Sequence, residues 1–250
     1  MNLTIERTLA SVALRQFTGN RKALWVVLVA WLPVGLALMV RALSDDTYDE
    51  RMEGLLVLYQ MLVVRVLLPL AALVIGTSVF GGEIEDGTVT YVLGKPVARW
   101  RIILTRVVAA ALATAAVVVP PTVATGLVML GRLDHTNVVW GFTSSVMVGG
   151  ALYCALFVAL SLRTRRALVA GLLYVIMWEG TLGGLFAGTR ALSIREYTLA
   201  MADAISTVRG SLFTALLPGQ TALIMGALVI AAIAVYSVRS LQSFEIGEAA

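Results

Sequence analysis

Six long apolar stretches, at about residues 23–40, 55–81, 102–130, 139–162, 167–187 and 216–238, take up most of this 250-residue chain. A helix needs ~20 consecutive apolar residues to cross the hydrocarbon core of a bilayer. The pattern therefore predicts an all-α integral membrane protein with six transmembrane helices between about 23 and 240. Only 14% of the residues are charged, against roughly 25% in soluble domains, so lipid is the main solvent. No segment between the stretches is long enough for a separate soluble domain. No internal repeat of fixed period is evident.

Charge placement sets the expected orientation. With the N-terminus inside, the inner segments hold Arg7, Arg15, Arg21, Lys22, Lys95, Arg99, Arg101, Arg106, Arg163, Arg165, Arg166 and Arg239, which is 12 of the 19 basic residues. The outer segments hold Arg41, Arg51, Arg132, Arg190, Arg195 and Arg209, and Arg65 lies within a stretch. Positive charge concentrates on the cytoplasmic side, which predicts N-in/C-in topology, with residues 241–250 as a cytoplasmic tail. The net charge of +4 then reflects topology, and no basic soluble surface for nucleic acid is indicated. The lone Cys154 and lone His135 leave no intramolecular disulfide and no multi-ligand His/Cys metal or haem site. Carboxylate sites for hard cations stay open on that count.

Residues 1–22 do not read as a secretory signal, because the first apolar stretch begins only at Ala23. Ile5, Leu9, Val12, Ala13 and Phe17 gather on one face of a helix, with Arg7, Arg15, Arg21 and Lys22 elsewhere. That pattern predicts an amphipathic helix lying along the membrane surface; a soluble amphipathic helix is the plain alternative. Pro33, Pro69 and the pair Pro120–Pro121 fall inside predicted helices, where each removes a backbone hydrogen bond and favours a kink. The longest outer connection, about 188–215, carries Ile194, Leu199, Met201, Ile205 and Leu212. It reads as re-entrant or interfacial short helices rather than a free loop.

Three groups of residues are candidates for function. The first is a polar island at 82–100 between the second and third crossings: Glu83, Glu85 and Asp86, a turn at Gly87, Thr88 as a cap, then Lys95-Pro96 and Arg99. It predicts a short surface helix held between two long membrane helices, into which a force on it would pass directly. An ordinary charged connection would look similar. The second group is Arg65 and Glu179. Bare charges in hydrocarbon are costly and usually face a partner or a wet cavity, and counting along their stretches places both in the outer half at similar depth. They are expected to pair, within or between subunits, and to help close a pathway; a purely structural pair or separate snorkelling is the alternative. The third is Gly180, Gly184 and Gly188, spaced for close helix approach, either inside one subunit or at a dimer seam. The cluster Arg163-Thr164-Arg165-Arg166 reads as a topology anchor.

The run Gly82-Glu83-Ile84-Glu85-Asp86-Gly87-Thr88, continuing through Leu93-Gly94-Lys95-Pro96-Val97-Ala98-Arg99, resembles the pattern of ABC-2 type transporter permeases. The six-crossing layout extends that resemblance over nearly the whole chain. It implies that the polar island is a coupling helix resting on an ATPase subunit, with the 1–22 helix packed beside it. Glu83 and Glu85 would anchor the segment, Gly87 and Thr88 shape its turn, and Pro96 and Arg99 set entry to the third crossing. It also implies two copies of an ABC ATPase, carrying the ATP and Mg, and a second permease chain, identical or homologous. This chain itself would bind no cofactor.

A phosphate-binding loop needs a glycine-rich run ending in Lys-Ser or Lys-Thr. The nearest string, Gly76 to Glu83, has the glycines but no lysine, so ATP hydrolysis belongs on a separate chain. A membrane-embedded enzyme would need a nucleophile and base together, and none is apparent. A non-transporting scaffold driven by an ATPase is the stronger alternative to an exporter in the cell membrane, prokaryotic and multi-pass. The apolar lining favours lipid-like, drug-like or peptide cargo over a small ion.

Overall fold

The computed structural model describes residues 21–44, 47–85, 99–131, 137–164, 166–182, 192–206, 215 and 224–226, and among these every regular element is a helix. Four helical rods are long and apolar enough to cross a membrane: Trp25–Leu43, Tyr48–Ser78, Ile103–Leu130 and Val138–Arg163. They coincide with the first four apolar stretches. The fifth stretch gives a shorter apolar helix, Ala167–Thr181. The sixth lies outside the described residues apart from 224–226.

The first rod consists of α1 (Arg21–Ala30) and α2 (Leu32–Leu43), joined at Trp31. The join follows from Pro33, which sits in the first turn of α2. A proline is tolerated there because that turn's N–H groups have no intrahelical partner. Trp25, Leu28 and Leu43 on this rod are largely exposed, as a lipid-facing surface requires.

The second rod runs through α3 (Tyr48–Val57), a wide π-helical stretch π1 (Leu58–Leu67) and α4 (Leu68–Glu85). It starts upstream of the expected residue 55 because Thr47 and Glu50 form a capping box. The Thr47 N–H and Oγ1 both donate to Glu50 Oε2, at 2.8 and 2.9 Å. Acidic residues assigned to a loop are thus the first turn of a helix. Downstream the rod passes through Gly81–Gly82, where an end was expected, and reaches Glu85. Pro69 follows the wide stretch, where it cannot donate to the Arg65 carbonyl and its ring crowds that oxygen. The preceding turns widen to i→i+5 bonding, and the Leu68 N–H reaches the Val63 carbonyl.

The third rod, α5 (Arg99–Leu130), continues through Pro120–Pro121. Nearby, Thr122 Oγ1 donates to the Val118 carbonyl and Thr125 Oγ1 to the Pro121 carbonyl, while Tyr59 OH from π1 reaches the Thr122 carbonyl at 2.8 Å. After it come α6 (Val138–Arg163), α7 (Ala167–Leu173), a second π-helical stretch π2 (Tyr174–Leu182) and α8 (Ile194–Ile205). The turn into α6 uses Asn137 at φ 55°, in the left-handed region that Asn tolerates better than most residues.

α6 is the centre of the packing, contacted by α4, α5, α7 and α8. Phe142, Tyr153 and Phe157 are fully buried on it. The Phe142 ring lies 4.8 Å from that of Tyr59, and Phe157 meets Tyr174 edge-on at 6.4 Å. Lipid is as apolar as leucine, so helices here are held by close approach and interhelical hydrogen bonds rather than by exclusion from water. Gly76 faces Phe157, and Gly171 faces Leu73.

Candidate functional site

Glu83 and Glu85 lie in the last turn of α4, and Arg99 is the first residue of α5. These two helices pack against each other and against α6. Gly87, Thr88 and Pro96 fall outside the described residues, as does the amphipathic segment up to residue 20.

Arg65 and Glu179 each sit on a π-helical stretch, Arg65 on π1 and Glu179 on π2. The two stretches touch: Arg65 Nη2 donates to the Gly180 carbonyl at 3.4 Å, and Nη1 approaches Met61 Sδ at 3.7 Å. Within this chain the two side chains do not form an ion pair. The guanidinium meets the backbone next to Glu179 and stays exposed, whereas the Glu179 carboxylate is turned into the protein and buried.

Three donors hold that carboxylate. Ser193 Oγ reaches Oε2 at 2.5 Å, the Ile194 N–H reaches Oε1 at 2.9 Å, and Tyr174 OH reaches Oε1 at 3.3 Å. The Tyr174–Glu179 contact depends on the wide coil. On a regular α-helix residues five apart point about 140° away from each other, and i→i+5 winding brings them to one side. Arg195 completes the cluster, donating to the Glu179 carbonyl at 3.3 Å and to Glu196 Oε1 at 2.7 Å.

The other half of the cluster is the start of α8. Ser193 caps it by accepting the Glu196 N–H. α8 lies antiparallel to α6, with Ala202 against Gly141 and Thr198 against Gly149. Gly149 is about 17 Å along α6, so the N-terminus of α8, one turn further, lies about 22 Å along a helix of about 39 Å. The segment after the fifth stretch therefore contains a helix that begins near the middle of α6. The free N–H groups and positive end of its dipole are met there by Glu179. Carboxylate and helix end satisfy each other where water is scarce, a reason for the charge to be buried that needs no cation.

Gly180 is exposed, and a Cβ built on it would meet only its own helix at Val175 O, 3.5 Å away. Gly184 and Gly188 fall outside the described residues. The small-residue ladder that does bring two described helices together is Gly141, Ser145 and Gly149 on α6, all buried, with Gly141 and Gly149 against α8. Sequence reasoning missed it, along with Tyr174, Ser193 and Arg195. Two signals were available: the i, i+4, i+8 spacing of that ladder, and the capping pattern Ser193-x-x-Glu196. Among the described residues no three His, Cys, Asp or Glu side chains gather as a metal site.

A family model described as ABC-2 family transporter protein matches residues 12–245. No curated protein matches the chain. The match spans nearly the whole sequence, including the polar island and both helices that flank it. The chain belongs to the ABC-2 family: it is a multi-pass membrane subunit of an ABC transporter, not itself an enzyme.

Proposed function

We propose that this ABC-2 family subunit is an exporter permease whose segment 83–99 takes force from a separate pair of ATPases. Two copies of the ATPase hold ATP and Mg beneath a permease pair, this chain and an identical or homologous second one. Closure of the ATPases pushes the segment, and α4 and α5 tilt with it between inward- and outward-facing arrangements, each nucleotide state favouring one of them. The carrying observation is the family match across the polar island. It is supported by the anchoring of both flanking helices against α6, which makes any displacement of the island a displacement of the core. N-in/C-in topology in a prokaryotic plasma membrane places the island beside the cytoplasmic ATPases.

The test is co-purification of the chain with a co-expressed ABC ATPase from the same cell, wild type against Glu83→Ala/Glu85→Ala. Association that falls at least about tenfold in the double variant is expected, as for the loss of two charge-assisted contacts. Unchanged association in the variant would move the coupling contact elsewhere. No association in either protein would remove the permease reading.

A further inference from the structure

Among the described residues, Arg65 is a charge inside an apolar stretch with no counter-charge within ion-pair distance. It is the eighteenth of the 31 residues in the span Tyr48–Ser78, near its midpoint. A hydrocarbon core of ~30 Å leaves ~15 Å to either surface, farther than an arginine side chain extends, so snorkelling does not relieve it. Both of its contacts are to neutral groups, the Gly180 carbonyl and Met61 Sδ. Glu179 is the sole acidic residue in any of the six apolar stretches, and its carboxylate is committed to Ser193, Ile194 and Tyr174. In a second copy of this chain the Glu179 carboxylate is committed in the same way, and Glu196 is paired with Arg195. Met61, one turn before Arg65 on π1, and Ile176 and Met177, on the turn of π2 before Gly180, are apolar and exposed.

We infer that Arg65 is an anion-recognition residue, binding the oxyanion head of an amphiphilic cargo whose tail lies along Met61, Ile176 and Met177. Guanidinium presents paired donors that match the oxygens of a phosphate or carboxylate. Methionine and aliphatic side chains accept a tail without demanding one shape. The word cargo rests on the permease function proposed above; the anion site rests on the placement of Arg65.

The test is equilibrium binding of radiolabelled dodecyl phosphate to the detergent-purified full chain. Saturable binding to wild type is expected, about tenfold weaker in Arg65→Gln, with Arg65→Lys between the two because it keeps the charge and loses the paired donors. Arg65→Met, which replaces the charge with an apolar chain, repeats the measurement if Gln disturbs folding. Competition by phosphatidylglycerol makes a bilayer lipid the source of the head group, and competition by free dodecanoate but not by the lipid makes it a soluble amphiphile. Absence of saturable binding to wild type, equal affinity in the Gln and Met variants, or equal competition by dodecyltrimethylammonium overturns the inference. Each of those results leaves the ATPase co-purification untouched, so the two readings fail separately.

Discussion

Two charged residues occupy the apolar interior on adjoining wide coils, and the protein treats them in opposite ways. Glu179 is 3% exposed and accepts three hydrogen bonds. Arg65, a few ångströms away along the same contact, is exposed and meets only a carbonyl and a thioether. The difference separates a charge used to hold a helix end from a charge left available. Presence in an apolar stretch is the same for both; the partners are what distinguish them.

The comparison predicts unequal costs. Glu179→Ala removes the shared acceptor of Ser193, Ile194 and Tyr174 and leaves buried donors without one. Each orphaned donor costs ~1–3 kcal/mol. The thermal midpoint of the purified chain should fall by at least about 6 °C, on the scale of 2–4 °C per kcal/mol for chains of this size. A fall of under a degree or two would mean that the start of α8 does not depend on the carboxylate.

A smaller loss is expected from Gly149→Val, because the new side chain meets Thr198 and Leu68 and must separate α6 from α8. Overpacking of this kind costs about 1–3 kcal/mol, or roughly 3–8 °C. Its comparison is Gly180→Ala, where the space is open and the midpoint should move by no more than about 2 °C. Equal effects at the two glycines would shift the helix seam from α6–α8 towards the fifth stretch.

Arg65→Gln should disturb stability least, by about 0.5 kcal/mol or less in either direction, in the same melting experiment. Destabilisation approaching that of Glu179→Ala would make Arg65 a structural residue like its neighbour and erase the contrast.

The first four spans were readable from apolar length, since lipid imposes that length directly. Arg65 and Glu179 were readable as exceptional because a charge in such a stretch has few explanations. That they do not pair within this chain was not readable: the donors to Glu179 come from π2 and from residues 193–194 of a connection whose path composition does not specify. The start of the second rod was misplaced for a related reason. Asp49 and Glu50 look like loop residues by charge, yet acids also suit the first turn of a helix, and the Thr47–Glu50 box places them there. For the coupling candidates, Glu83, Glu85 and Arg99 lie at described helix ends, while Gly87, Thr88 and Pro96 fall outside the described residues.

Pro69 lends the Arg65 side of this comparison a kind of permanence. Most helical irregularities are equilibria: a wide turn can tighten when its neighbours move, rotating everything beyond it by one residue's share of a turn, about 100°. Here the missing N–H belongs to a covalent ring, and no rearrangement of the bundle can supply it. The Arg65 carbonyl must therefore find a donor other than residue 69 in every arrangement the bundle adopts.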